Sequence, residues 1–276
     1  MKQRISIHIA TKDRFSELGL LLESLRHQTH QEFDLIIYDT SQPAPATTSY
    51  FINAIVSRIK QEGHGIIYKW GAPNGVCDAR NKCIEFDFFK NPLILRCDDD
   101  VILEPKYIEK LLKGINKGYD LMSGVVPSFQ MPEWIRETKK LGKIINEHTF
   151  DSEGNIISRK DECAFCYDAE KLIPTHHFRT MALYKKHKDL KYPTHLSPVG
   201  FREEGFFSFK AILLGYKLGV NTGARAYHLQ TPSGGCRYPN YALLVQQDDE
   251  EYQKWIKNKF KEHGNFILVY NKRVLK

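Results

Sequence analysis

The chain has 276 residues, 42% of them hydrophobic and 26% charged, enough to bury a sizeable core in one large domain or two joined halves. No run approaches the ~18 consecutive apolar residues of a membrane span, and the opening "MKQRISIHIATKDR" is too often polar for a signal peptide, so a cytoplasmic protein is expected. The net charge of +7 suits an anionic substrate, a lipid surface or nucleic acid without choosing among them.

In "RISIHIAT", Ile5, Ile7 and Ile9 alternate with polar neighbours, the period of a strand. Phe15, Leu18, Leu21, Leu22 and Leu25 then recur at helical spacing. "FDLIIYD" at 33–39 reads as a second buried strand, ended by the turn-rich "TSQPAPATTS". Ile52, Ile55, Val56 and Ile59 mark a second helix, and "GIIYKW" at 65–70 a third strand. A helix over about 76–89 leads into a fourth strand, "PLILRC". Ile108, Leu111, Leu112 and Ile115 predict the next helix, and "YDLMSGVV" at 119–126 the next strand.

This alternation predicts an α/β fold with a doubly wound, mainly parallel central sheet flanked by helices. Such sheets bind ligands beyond the carboxyl ends of their strands, which directs attention to Thr11–Arg14, Asp39 and Asp98–Asp100. After about residue 127 the rhythm becomes irregular, through "PSFQMPEW" and "HHFRTMALYKK" to "GFREEGFFSFKAILLGYKLGV". The expected organisation is a first half over 1–126, a second, irregular half of the same domain over 127–235, and a helical extension over 236–276. The pair Cys163 and Cys166 in "CAFC" has zinc or redox spacing, but no second such pair completes it, so buried free thiols are expected.

Asp98, Asp99 and Asp100 follow the apolar run Leu93-Ile94-Leu95, and such crowded carboxylates call for a positive partner. On a strand, Asp98 and Asp100 share a face while Asp99 points elsewhere. The pair could hold a divalent cation through oxygen ligands; the plain alternative is a solvated acidic turn. A calcium loop of EF-hand type is excluded by Val101, Ile102 and Leu103. A phosphatase of the haloacid-dehalogenase type carries its paired Asp on the first strand, not the fourth, whereas two-metal nucleotidyl transfer stays open. Neither a Walker loop nor GxGxxG occurs. In "GFREEGFFSFK", Glu203 or Glu204 could serve as a general base, or simply favour a helix N-terminus. His228, in "ARAYHLQTPSGG", could complete a metal site or be an ordinary hydrogen-bonded histidine.

Taken in order, "IATKDR", "YDTS", "NGVCDARNKCI", "LRCDDDVILEP", "GFREEGFFSFKAILLGYKL" and "AYHL" resemble the corresponding segments of family 2 glycosyltransferases, which have the GT-A fold. The resemblance covers roughly residues 3–235. It implies an inverting transferase that moves a sugar from a nucleoside-diphosphate sugar, UDP-linked by expectation, to an acceptor hydroxyl. The first half then binds the nucleotide-sugar and the second the acceptor. Thr11 and Arg14 would border the nucleotide, Asp39 would bond the base, and Asp78 and Arg80 would lie near base or diphosphate. Asp98 and Asp99 would join the donor site, with Asp100, Asp98 and His228 on a Mn²⁺ or Mg²⁺ ion. Glu204, or Glu203 in its place, would be the base, since the family more often has Asp at 204. Lys210 stands where Arg is usual, and loses its bidentate fork. A nucleotidyltransferase-like or degenerate, merely carbohydrate-binding protein is the competing reading.

The acceptor is not legible: a glycan, a lipid-linked glycan and a hydroxylated base in DNA all stay open. "YQKWIKNKFK" places Tyr252, Trp255, Ile256, Phe260 and several lysines on a C-terminal helix. That helix could lie peripherally on an anionic membrane, contact nucleic acid, or cover the core with its aromatics.

Overall fold

The structure, a computed structural model, describes residues 3–72, 74–130 and 141–276. The end of the "PSFQMPEW" stretch lies outside the described residues. Strands β1 (Ile5–Thr11), β2 (Phe33–Asp39), β3 (Ile66–Trp70) and β4 (Leu93–Asp98) alternate with helices α1 (Phe15–Arg26), α2 (Tyr50–Gln61) and α3 (Val76–Glu85). They are followed by β5 (Val101–Leu103), α4 (Tyr107–Asn116) and β6 (Leu121–Val125). Beyond these come β7 (His148–Phe150), β8 (Ile156–Arg159), β9 (Leu172–Pro174) and β10 (Ala182–Lys185). The chain then forms α5 (Glu203–Leu213), β11 (Leu218–His228), α6 (Tyr241–His263) and α7 (Phe266–Val274).

The main sheet runs in the order β3-β2-β1-β4-β10-β6-β11-β5, with β9 on β11, and β7–β8 is a separate hairpin. It is parallel from β3 to β4 and again between β6 and β11. The antiparallel members, β5, β9 and β10, are three or four residues long, too short for a periodic signal. Strands from residues 1–126 and from the irregular half interleave, since β10 lies between β4 and β6.

Every residue of β2, and nearly every one of β1, is buried, because helices cover both faces of the sheet. On one face Ile5, Ile7, Leu35 and Leu95 pack with the apolar stripes of α1, α2 and α4. On the other, Ile94, Tyr184 and Leu218 pack with α5, α6 and α7 through a run of aromatic rings. The alternation of Ile94 and Leu95 between these two cores is the strand period expressed in packing. Tyr252, Ile256 and Phe260 of α6 are buried in that second core, and Trp255 lies against Phe206 with ring centroids 5.1 Å apart. The α6 aromatics therefore cover the core rather than face a membrane. Among the described residues, no helix is long and apolar enough to cross a membrane.

Candidate active site

The parallel register brings the carboxyl ends of three strands to one edge: Thr11 stands beside Asp39, and Ala10 beside Asp98. Strand β4 stops at Asp98, and Asp99 and Asp100 form a turn into β5, so the turn, rather than a continued strand alternation, separates the three carboxylates. β11 pairs antiparallel with β5, which sets His228 opposite Val101. His228 Nε2 is 3.1 Å from Asp100 Oδ1. Asp98, Asp100 and His228 each bring one ligand atom to within 4.8 Å of the others.

The positive partners of the triple Asp are three arginines. Asp99 accepts from the Thr11 hydroxyl at 2.8 Å and from Arg14 Nη1 at 2.9 Å. Arg14 Nη1 also lies 3.0 Å from Asp100 Oδ2. Asp98 Oδ1 accepts from Arg80 Nη2 at 2.7 Å and from Arg96 Nη2 at 3.0 Å. Burial opposes charge on Asp98, but Arg96 and Arg80 outweigh it and hold the carboxyl below its ordinary range. Burial disfavours a charged His228 as well, yet the hydrogen bond and charge of Asp100 raise its pKa.

The two glutamates at the start of α5 are placed differently. Glu203 is buried and ion-paired with Arg80, and Arg96 Nη2 donates to its Oε1 at 2.7 Å. Glu204 keeps 30% of its side chain exposed, accepts from the Thr180 amide at 3.3 Å, and lies 3.6 Å from Arg96 Nη2. One guanidinium nitrogen thus touches Asp98, Glu203 and Glu204. Arg202, just before the helix, adopts a left-handed backbone (φ 69°) and is held by Asp249 at 2.8 Å.

These groups line two adjoining clefts. One, of about 400 Å³, is walled by Thr11, Arg14, Arg80, the three aspartates and His228. The other, of about 600 Å³, shares Arg80, Asp98 and His228 with it and adds Glu203, Glu204, His177 and Arg179. Gly75, at φ 91°, starts α3 so close to the 195–200 loop that a Cβ would sit 2.4 Å from Pro198 Cα. The turn at Gly234 and Gly235 folds back on the first cleft: the Gly235 amide donates to the Lys12 carbonyl at 2.8 Å, and Arg14 Nε to the Ser233 carbonyl at 3.3 Å.

Asp39 is not brought to the cleft wall. Fully buried, it accepts from the Ser41 and Ala46 amides at 2.8 and 2.6 Å and from the Tyr68 hydroxyl, holding the 40–49 loop. Thr40 and Gln42 of that loop reach the cleft in its place. Asp78 caps the Asn74 amide at 3.0 Å and lines neither cleft. Lys12 lies within the Thr11–Arg14 segment that the sequence singles out, but Arg237, Tyr238 and Tyr241 of the cleft wall escaped the sequence reading. Lys12 Nζ lies 4.5 Å from the centroid of the Tyr238 ring. Arg96 was also missed, although a charged residue inside the apolar run "LILRC" is itself a signal that a partner is near.

A family model described as Glycosyl transferase family 2 matches residues 6–190. No curated protein sequence matches the chain. Among solved structures it is similar to S. aureus TarS 1–349 in complex with UDP-GlcNAc, with TM-score 0.58 and 15% identity over 94% of this chain and 71% of that one. It is also similar to S. aureus TarS, with TM-score 0.55 and 15% identity over 83% of this chain and 37% of that one. GalNAc-T7 with UDP, GalNAc and Mn²⁺ gives TM-score 0.59 and 13% identity over 97% of this chain and 55% of that one. The chain therefore spans little more than a third of TarS and about half of GalNAc-T7.

Proposed function

This chain belongs to glycosyl transferase family 2 and is a glycosyltransferase of the GT-A fold, and from that premise we propose that it moves a sugar from a UDP-sugar to an acceptor hydroxyl with inversion. The observation that carries the reading is the junction of the two clefts at Asp98, Arg80 and His228. A donor in the first cleft would present its anomeric carbon to an acceptor in the second. The UDP-GlcNAc in TarS and the UDP in GalNAc-T7 support a uridine nucleotide in the corresponding cleft.

Asp98, Asp100 and His228 would hold a divalent cation. The fit is good: two carboxylates and an imidazole suit Mn²⁺ or Mg²⁺, and His228 Nδ1 is buried without a hydrogen-bond partner, while Asp100 Oδ2 faces the Arg14 guanidinium at 3.0 Å. Asp98 Oδ1 already serves two arginines, which leaves its second oxygen for the ion. When bound, such an ion supplies charge neutralisation for a leaving diphosphate. The Mn²⁺ present with GalNAc-T7 supports the use of a divalent ion. Arg14, tied to Asp99 and Asp100, borders the nucleotide, and Arg80 faces the diphosphate from the start of α3.

Glu204 acts as the general base. It has the exposure an acceptor hydroxyl needs, whereas Glu203 is enclosed by Arg80 and Arg96. Glu204 takes the hydroxyl proton as the acceptor oxygen bonds to the anomeric carbon. The bond from that carbon to the diphosphate breaks on the opposite face, and its electron pair leaves with the nucleotide. The acceptor class, whether glycan, lipid-linked glycan or hydroxylated DNA base, is set by the second cleft. Incubation with nucleotide-sugars and Mn²⁺ tests the reading: slow release of free nucleoside diphosphate from one donor is expected, and release from none would overturn it.

A further inference from the structure

The positive charge of the chain is not evenly spread. Residues 254–276 hold seven Lys and Arg and one acid, Glu262, and so carry six of the seven net positive charges. The acidic residues just before them are partly engaged inside the protein. Asp248 accepts from the Ser197 and Phe201 amides, and Asp249 pairs with Arg159 and Arg202.

Helical periodicity divides α7 into two faces. Phe266, Ile267, Tyr270 and Val274 are buried, with the Phe266 ring against Phe209 and Phe260 and the Tyr270 hydroxyl 2.9 Å from the Thr175 carbonyl. On the opposite side Leu268, Val269, Lys272 and Arg273 are exposed at i, i+4 spacing, and Leu275 and Lys276, just past the helix end, are exposed as well. The three aliphatic side chains among them are 51%, 67% and 47% exposed. Arg273 is held beside them by a 2.8 Å bond to the Tyr216 carbonyl, and among the described residues neither Lys272 nor Lys276 has a carboxylate partner.

We propose that this face of α7 docks the protein on an anionic lipid surface. Such a surface takes both halves of the pattern: aliphatic side chains enter the acyl boundary while lysines and arginines lie among the headgroup phosphates. Nucleic acid would use the cations and leave the aliphatics in water. A second copy of the chain would set cations against cations. Helix α7 also touches the chain beside the second cleft. His176 Nε2 is 2.7 Å from Asn271 Oδ1 of α7, and the next residue, His177, lines the cleft. The docking proposal stands whether or not the sugar-transfer reading is correct.

The test is co-sedimentation of the full chain with vesicles of phosphatidylcholine alone and of phosphatidylcholine with phosphatidylglycerol, at low and high salt. The expected result is binding to the anionic vesicles only, weakened by salt. A Leu268→Gln/Val269→Gln variant should unfold at the wild-type temperature, because both side chains are exposed, yet bind about tenfold less. A Lys272→Glu/Lys276→Glu variant should lose binding as well. The proposal is overturned by equal binding to both vesicle types, by no binding, or by a polar variant that binds as the wild type does. Retention of duplex DNA by the polar variant in place of vesicle binding, or a dimer that this variant splits, would overturn it too.

Discussion

Arg96 Nη2 donates to Glu203 Oε1 across 2.7 Å, joining a buried sheet arginine to the first residue of the helix that carries Glu204. The same nitrogen reaches Asp98 at 3.0 Å. Strand β4 and helix α5 are thus locked together by one guanidinium, and the two adjacent glutamates have different surroundings. Glu203 neutralises buried arginines, and Glu204 faces the cleft.

Substitution of each glutamate separates the two. Glu204→Gln should cut transfer by roughly 10²–10⁴ while leaving nucleotide affinity and unfolding temperature near wild type. Glu203→Gln should instead destabilise the fold by about 3–5 kcal/mol, because it leaves buried guanidinium charge uncompensated. Steady-state kinetics with chemical denaturation reads both. Full transfer by Glu204→Gln together with its loss in a stably folded Glu203→Gln would reverse the assignment.

Asp39 should behave as a structural acceptor. Asp39→Ala strands two amides and the Tyr68 hydroxyl, and the expected cost is about 3 kcal/mol of stability. At a temperature where the variant is folded, its UDP affinity should fall less than that of Arg14→Ala, since Arg14 lines the cleft and Asp39 does not. A drop in affinity with unchanged stability would instead put Asp39 on the base.

Stability should fall as pH drops through about 6.5, the ordinary imidazole value. Burial lowers the pKa of His8, His148, His176 and His177 in the folded chain, so the unfolded chain takes up their protons first. Each imidazole that stays neutral when folded removes roughly 1.4 kcal/mol per pH unit below its unfolded pKa. His228, raised in spite of burial by its bond to Asp100, works in the opposite direction. Asp99, which burial pushes up to about 6, works in that direction too, and four imidazoles against these two groups predict net acid lability, visible as a lower denaturation midpoint at pH 5.5 than at pH 7.5. Equal midpoints would contradict this, since they require equal proton binding by the folded and unfolded chains.

Much of the fold could be read from periodicity. Ile5, Ile7 and Ile9, or Leu35 and Ile37, sit in strands buried by helices on both faces, and such runs announce themselves. The short antiparallel strands could not, because β10 becomes a strand only through the edges of β4 and β6 between which it lies. At the candidate site, residue types near strand ends pointed to the sheet edge where the two clefts meet. They did not distinguish Asp39, consumed by the amides of its own loop, from Asp98, which stays at the cleft. Lys12 and Tyr238 meet across 226 positions of sequence, and no local pattern encodes that meeting. Arg96 was the missed clue: a lone charge in a buried strand requires carboxylates around it, and Asp98 and Glu203 supply them.

The central claim is that the first cleft takes a nucleoside diphosphate together with a divalent ion on Asp98, Asp100 and His228. Calorimetric titration of UDP into the wild type and Asp100→Ala, with and without Mn²⁺, tests it most directly. The account predicts binding to the wild type that strengthens at least about tenfold with Mn²⁺, and a variant in which that gain is gone. Affinity that is equal with and without the ion, or a gain that Asp100→Ala retains, would contradict it.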